Sequence, residues 1–202
     1  LLGAISIPFA LAKAVKGEDL RRYGSGALTS SNVGELLGKW AVASVGVLDI
    51  LKAAGLVWAA RALDFSLSEQ MAVGLATIVG HNWPIFLKFQ GGRGLAAVIG
   101  VLLAAAPMEL FLFTVTAVFG VLFFRSVPLF MGLATILVPF WAYSLEEESA
   151  VFWGTVVMAA LVVIKRLSGN GFGGLPERGK TMVLIYRLFL ARETKNREDW
   201  IQ

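Results

Sequence analysis

Seven apolar segments, Leu1–Ala14, Trp40–Ala60, Met71–Leu87, Leu95–Ala106, Leu110–Phe124, Leu129–Tyr143 and Val151–Ile164, follow one another with only short polar links between them. A chain so patterned has more apolar surface than one water-soluble core needs. With 57% hydrophobic and 16% charged residues it has the composition of a polytopic membrane protein. Several segments fall short of the ~20 residues that a perpendicular helix needs to cross a bilayer, so broken helices are expected. Leu1–Ala14 in particular is too short to span. It is expected to begin inside a helix, and it is not read as a signal peptide.

The charges in the links provide a second, independent constraint. With the N-terminus outside, the inward links hold Lys13, Lys16, Arg21, Arg22 and Lys39, then Lys88 and Arg93, then Arg125, then a basic tail from Lys165. The outward links hold Arg61, Asp64 and Glu69, then Glu109, then Glu146, Glu147 and Glu148. Basic links alternate with the count of spans, as the positive-inside tendency requires, and dropping one segment destroys the agreement. The expected fold is therefore all-α and polytopic, with seven transmembrane helices, N-terminus out and C-terminus cytoplasmic. Residues 1–166 form the membrane domain and 167–202 a basic tail, in which a short cation-flanked helix over 181–191 is expected to lie on the inner leaflet. A sequence pI near 9.6 fits anionic lipid headgroups better than nucleic acid, because the cations are dispersed among links. The absence of cysteine excludes disulfides and thiolate metal sites.

Two inward links carry chemistry. The turn between the third and fourth segments, GHNWPIFLKFQGGRG, concentrates the only histidine, His81, with Arg93 and the glycines Gly91, Gly92 and Gly94. Glycines there allow a backbone to come close to a ligand, and the helix expected from Leu95 places unpaired N–H groups beside them. The alternative is a plain interhelical turn with a snorkeling cation. The first inward link sets Gly24, Ser25, Gly26, Thr29, Ser30, Ser31 and Asn32 beside Arg21 and Arg22, a set of donors suited to phosphate. Its alternative is a solvated loop ending in a helix N-cap at Ser31 or Asn32. Within the second segment Asp49 and Lys52, three residues apart, share a helix face and either pair inside the membrane or reach its headgroup level. Trp40, Trp58, Trp83, Trp141, Tyr143 and Trp153 fall near span ends and read as an interfacial belt.

The order and spacing of LLGAISIPF, KGEDLRRYGSG, Asn32, Asp49 with Lys52, and GHNWPIFLKFQGGRG resemble the bacterial acyl-phosphate:glycerol-3-phosphate acyltransferases, the PlsY family, over nearly the whole chain up to Arg166. The resemblance implies a multi-pass enzyme of the bacterial inner membrane in phospholipid biosynthesis. It would move a fatty acyl group from acyl phosphate to glycerol 3-phosphate, yielding lysophosphatidic acid, with no cofactor and no metal. It also implies catalytic positions at Ser25, Asn32 and His81. Phosphate or substrate contacts are implied at Arg22, Gly24, Gly26, Gly91, Gly92, Arg93, Gly94, Arg166 and Asn170, with His81 as a polar anchor. The chain departs from the family pattern at Ala27, at Gln90 and at Arg93, where lysines are usual, at Pro128 in place of a serine, and at Leu167 in place of a histidine. Glu35 replaces an arginine, which is expected to set a repulsion at a phosphate contact. The competing expectation is a relative without transfer chemistry, serving as a lipid-binding or structural subunit with a protein partner. A small anion transporter is a third reading, suggested by glycine-broken helices near cations.

Overall fold

The computed structural model describes residues 1–24, 26–169 and 180–190. Among the described residues all regular structure is helical: α1 Ile7–Lys16, α2 Ser30–Leu37, α3 Lys39–Ala62, α4 Leu67–Asn82, α5 Leu95–Ala105, α6 Pro107–Phe124, α7 Val127–Ser144, α8 Ser149–Ser168 and α9 Lys180–Leu190. Short 3-10 turns occupy Leu2–Ala4, Leu20–Arg22 and Ile85–Leu87. Helices α3, α6, α7 and α8 are long and apolar enough to cross a membrane.

The first apolar segment is not the interior of one helix, contrary to expectation. Its 3-10 turn ends at extended Ile5, and α1 starts afresh where Ser6 Oγ accepts the Phe9 N–H at 3.4 Å, with Pro8 placed in the first turn, where its missing N–H costs nothing. The carbonyls exposed by this break are taken by Lys52, whose Nζ donates to Ile5 O at 2.8 Å and to Gly3 O at 3.4 Å.

The segment expected at Met71–Leu87 begins earlier and ends sooner. Ser66 and Glu69 form a reciprocal capping box that starts α4 at Leu67. At the far end Pro84 disfavours helical backbone for Trp83, so α4 stops at Asn82. The first inward link is not a plain loop either. It contains α2, capped by Thr29 rather than by Ser31 or Asn32: the Thr29 hydroxyl accepts the Asn32 N–H at 3.3 Å. The tail helix, expected at 181–191, runs Lys180–Leu190 and packs against α7 and α8, with Ala191 outside the described residues.

Helix α3 lies at the centre, packed against α2, α4 and α5. A β-carbon on Gly100 would strike the Ile50 carbonyl, so α5 meets α3 backbone to backbone, the close approach that small residues permit between apolar helices. Val57, Ile78, Val98, Leu102, Phe113 and Met158 fill the main core, while Leu20, Leu28, Val33 and Val45 form a second cluster that seats the α1–α3 link. Eleven residues make α5 roughly 16 Å long, about half of a ~30 Å hydrocarbon layer. At its C-terminal end Arg61 Nη2 donates to Ala104 O at 2.6 Å.

Candidate functional site

A cavity of about 170 Å³ opens where three helices begin. Ser30 and Ser31 from the first turn of α2 line it together with the capping Thr29. Opposite them stand Gly94, Leu95 and Ala96 at the start of α5, then Val127 and Pro128 at the start of α7. The first N–H groups of a helix have no partner within it and carry partial positive charge, so convergent helix starts form an anion-binding surface.

Two guanidinium groups complete that surface. Arg93 and Arg166 both line the cavity, although 73 positions separate them (166 − 93). Burial, with a smaller contribution from nearby Arg166, pushes the Arg93 group down to about 10, which still leaves it a cation at neutral pH. Arg166 is buried and fixed: Nη2 donates to Pro128 O at 2.8 Å and Nη1 to Leu188 O at 2.6 Å. Neighbouring Lys165, also buried, sits with Nζ 5.5 Å from the centre of the Trp83 ring. The half-buried Trp83 is thus a cation partner on the end of α4.

The third wall is polar and braced. Asp49, 3% exposed, holds Lys52 Nζ at 3.1 Å from Oδ1, and the same oxygen lies 3.4 Å from His81 Nδ1. The two side chains are paired, with Asp49 buried and Lys52 half-buried. His81 presents its Nε2 edge to Gly92, where a β-carbon would collide with the imidazole. The Gly92 N–H also donates to His81 O at 3.1 Å. The imidazole is thus a positioned wall of the cavity.

The three glycines of the turn pack against the end of α4. Gly91 lies against the His81 and Asn82 carbonyls and Pro84, Gly92 against the His81 ring, and Gly94, at φ +80°, beside the fully buried Asn82 side chain. Their small size seats the turn on the end of α4; of the three, only Gly94 lines the cavity. Asn32 is bonded within the first inward link. Its amide Nδ2 donates to Tyr23 O at 2.9 Å, Ala27 O at 3.0 Å and Leu20 O at 3.3 Å, so it ties the link together and is not among the lining residues. Gly24 and Gly26 adopt left-handed backbone in this link without lining the cavity, and Arg22 is exposed. Arg21 is held at 2.6 Å by Asp19. Glu35 is exposed on α2 and is not among the lining residues. Ser25 and Asn170 lie outside the described residues.

Of the sequence candidates, the cavity gathers Asp49, His81, Arg93, Gly94 and Arg166. Sequence reasoning missed Lys165 as a member of the cationic cluster, since a lysine after an apolar run reads as the start of a tail. Thr29, Ser30 and Ser31, which the sequence offered among the phosphate donors of the first inward link, do line the cavity.

The family model described as glycerol-3-phosphate acyltransferase matches residues 1–170. Glycerol-3-phosphate acyltransferase 5 of Dehalococcoides mccartyi is 35% identical over 100% of this chain and 88% of its own length. The glycerol-3-phosphate acyltransferase of Desulforamulus reducens is 34% identical over 85% of this chain and 86% of its own. Among solved structures, PlsY (YgiH), an integral membrane glycerol 3-phosphate acyltransferase in its glycerol 3-phosphate form, superposes with a TM-score of 0.75 at 31% identity, covering 82% of this chain and 83% of that one.

Proposed function

The chain belongs to the glycerol-3-phosphate acyltransferase family, and from that premise we propose that it transfers a fatty acyl group from acyl phosphate to glycerol 3-phosphate at the cavity described above. It is a membrane acyltransferase of phospholipid synthesis. The observation that supports this site most directly is the convergence of three helix N-termini with Arg93 and Arg166 on one small cavity.

Both substrates bring a phosphate, and fixed cations and amides suit both. The acceptor hydroxyl oxygen attacks the acyl carbonyl carbon, the bond from that carbon to the phosphate oxygen breaks, and the hydroxyl proton ends on the released inorganic phosphate. Arg93 and Arg166 hold phosphate oxygens and favour departure of the charged leaving group. The α2 hydroxyls and amides orient the acceptor, and the Asp49–His81 pair keeps the opposite wall in place.

We assign seven spans, with the N-terminus outside and the cavity at the cytoplasmic face of the bacterial inner membrane. The alternating link charges and the short α1, α4 and α5 are consistent with that arrangement. Residues 1–166 form the membrane domain and α9 lies at the inner surface as part of the tail. Purified protein in detergent, given acyl phosphate and glycerol 3-phosphate, should release phosphate and form lysophosphatidic acid. Tight lipid binding with no phosphate release would overturn the reading in favour of a non-catalytic relative.

A further inference from the structure

Helices α8 and α9 each end on carbonyls that no amide of the same helix can reach. Each helix supplies the other with an arginine for that purpose. Arg166, in the last turn of α8, donates from Nη1 to Leu188 O in the last turn of α9 at 2.6 Å. Arg187, in the last turn of α9, donates from Nη1 to Leu167 O in the last turn of α8 at 3.1 Å. The exchange is enclosed, with both arginines buried. It also needs bare backbone, since a β-carbon on Gly169 would lie 3.0 Å from Arg187 Cζ.

The two arginines differ in what else they meet. Arg166 lines the cavity assigned to phosphate, and Arg187 does not. A guanidinium carries five N–H donors in one rigid plane, and Arg166 commits one from Nη1 to Leu188 O and one from Nη2 to Pro128 O. Two fixed points set the orientation of that plane, and with it the direction of the remaining donors. The Pro128 point belongs to α7. The Leu188 point belongs to α9, which lies beyond residue 170, where the family match ends, and it stays beneath Arg166 only while α9 is held to α8. We propose that Arg187 is a positioning residue for acyl transfer: it pins α9 to the end of α8, and the Leu188 carbonyl thereby aims the Arg166 guanidinium at a bound phosphate group. The proposal rests on the transfer function given above. Arg187 touches neither substrate nor the reacting atoms and acts through Arg166. A carbonyl stripped of its charged donor away from water is costly, so without Arg187 the end of α9 shifts to relieve Leu167 O, and Arg166 loses one of its two fixed points.

The test uses the full-length protein in detergent with Arg187→Met, which removes the donor, and Arg187→Lys, which keeps one. Arg187→Met should lower kcat/KM for phosphate release by about 10- to 100-fold, the cost of a misplaced group near the chemistry. Arg187→Lys should fall between it and the parent. In an Arg166→Met background, adding Arg187→Met should change kcat/KM by less than about twofold, because the residue it acts through is gone. A brace that served folding alone would lower the melting temperature and leave kcat/KM of the folded protein at the parent value, or would add its loss to that of Arg166→Met. Either result overturns the proposal, as does an Arg187→Lys variant no more active than Arg187→Met. Calorimetric binding of inorganic phosphate supplies a readout independent of turnover. Arg187→Met should weaken it about tenfold when Arg166 is present and leave it unchanged in the Arg166→Met background, and equal affinity with Arg166 present overturns the proposal. If the parent binds phosphate with this pattern yet releases none from acyl phosphate, the transfer function is refuted while the tie from Arg187 to Arg166 stands. A parent that neither binds nor releases phosphate refutes both.

Discussion

Gly132 faces Arg166 so closely that a β-carbon on Gly132 would lie 2.5 Å from Arg166 Nη1. The guanidinium can lie flat against α7 only because that position has no side chain. Gly132→Ala should therefore push Arg166 off the Pro128 and Leu188 carbonyls. Overpacking of this kind costs about 1–3 kcal/mol of stability, and loss of a positioned cation costs about 10²-fold in kcat. Thermal unfolding in detergent and phosphate release measure the two effects separately.

Arg93 lines the cavity, whereas Lys88, five residues earlier in the same turn, is exposed and outside the lining. Arg93→Ala should lower kcat/KM by about 10²–10³-fold, while Lys88→Ala should leave it near the parent value. Equal losses would place the phosphate elsewhere.

Asp49 is buried and pairs with the half-buried Lys52, so their removal should be strongly non-additive. Asp49→Ala alone leaves Lys52 and His81 without their carboxylate and should cost about 3–5 kcal/mol. Adding Lys52→Met should recover part of that loss, with a coupling of more than about 1 kcal/mol in a double-mutant cycle of unfolding free energies. Simple addition would mean that the 3.1 Å contact does not bind the two groups together.

The Asp19–Arg21 pair makes a prediction about acid. The hydrogen bond from Arg21, opposed by the cost of partial burial, lowers the Asp19 carboxyl from 3.8 to about 2. A carboxyl depressed in the folded state stabilises the fold above its unfolded value of 3.8, and that contribution is lost as pH falls towards 2. Because the pair is solvent-accessible, the effect should be below about 1 kcal/mol. Asp19→Asn keeps the cap on the Arg21 N–H, so its deficit in melting temperature should be small at neutral pH and disappear in strong acid.

How far the sequence foretold this architecture depends on the range of the interactions concerned. Apolar runs and link charges identified every long helix, because those signals are local. The limits of α4 depended on Ser66, Glu69 and Pro84, whose capping and steric effects could be read, but the apolar run continued past them to Leu87. The site was half legible. His81 and Arg93 stood out as polar residues in an apolar setting, and Asp49 and Lys52 by their spacing. Gly91 and Gly92 were marked as special, and both pack against the end of α4. That contact, like the burial of Lys165 over Trp83, depends on which helices pack together, and residue order alone does not carry it.

Helix α5 resembles a short strut clamped at both ends. Arg61 holds the Ala104 carbonyl at one end, and at the other Gly94 rests on the buried Asn82 side chain. Such a strut has little freedom to slide along its axis, so if the cavity takes phosphate as proposed, the amides at its start are in place before the ligand arrives. Any rate enhancement they supply would then come from dipoles oriented during folding rather than by the substrate.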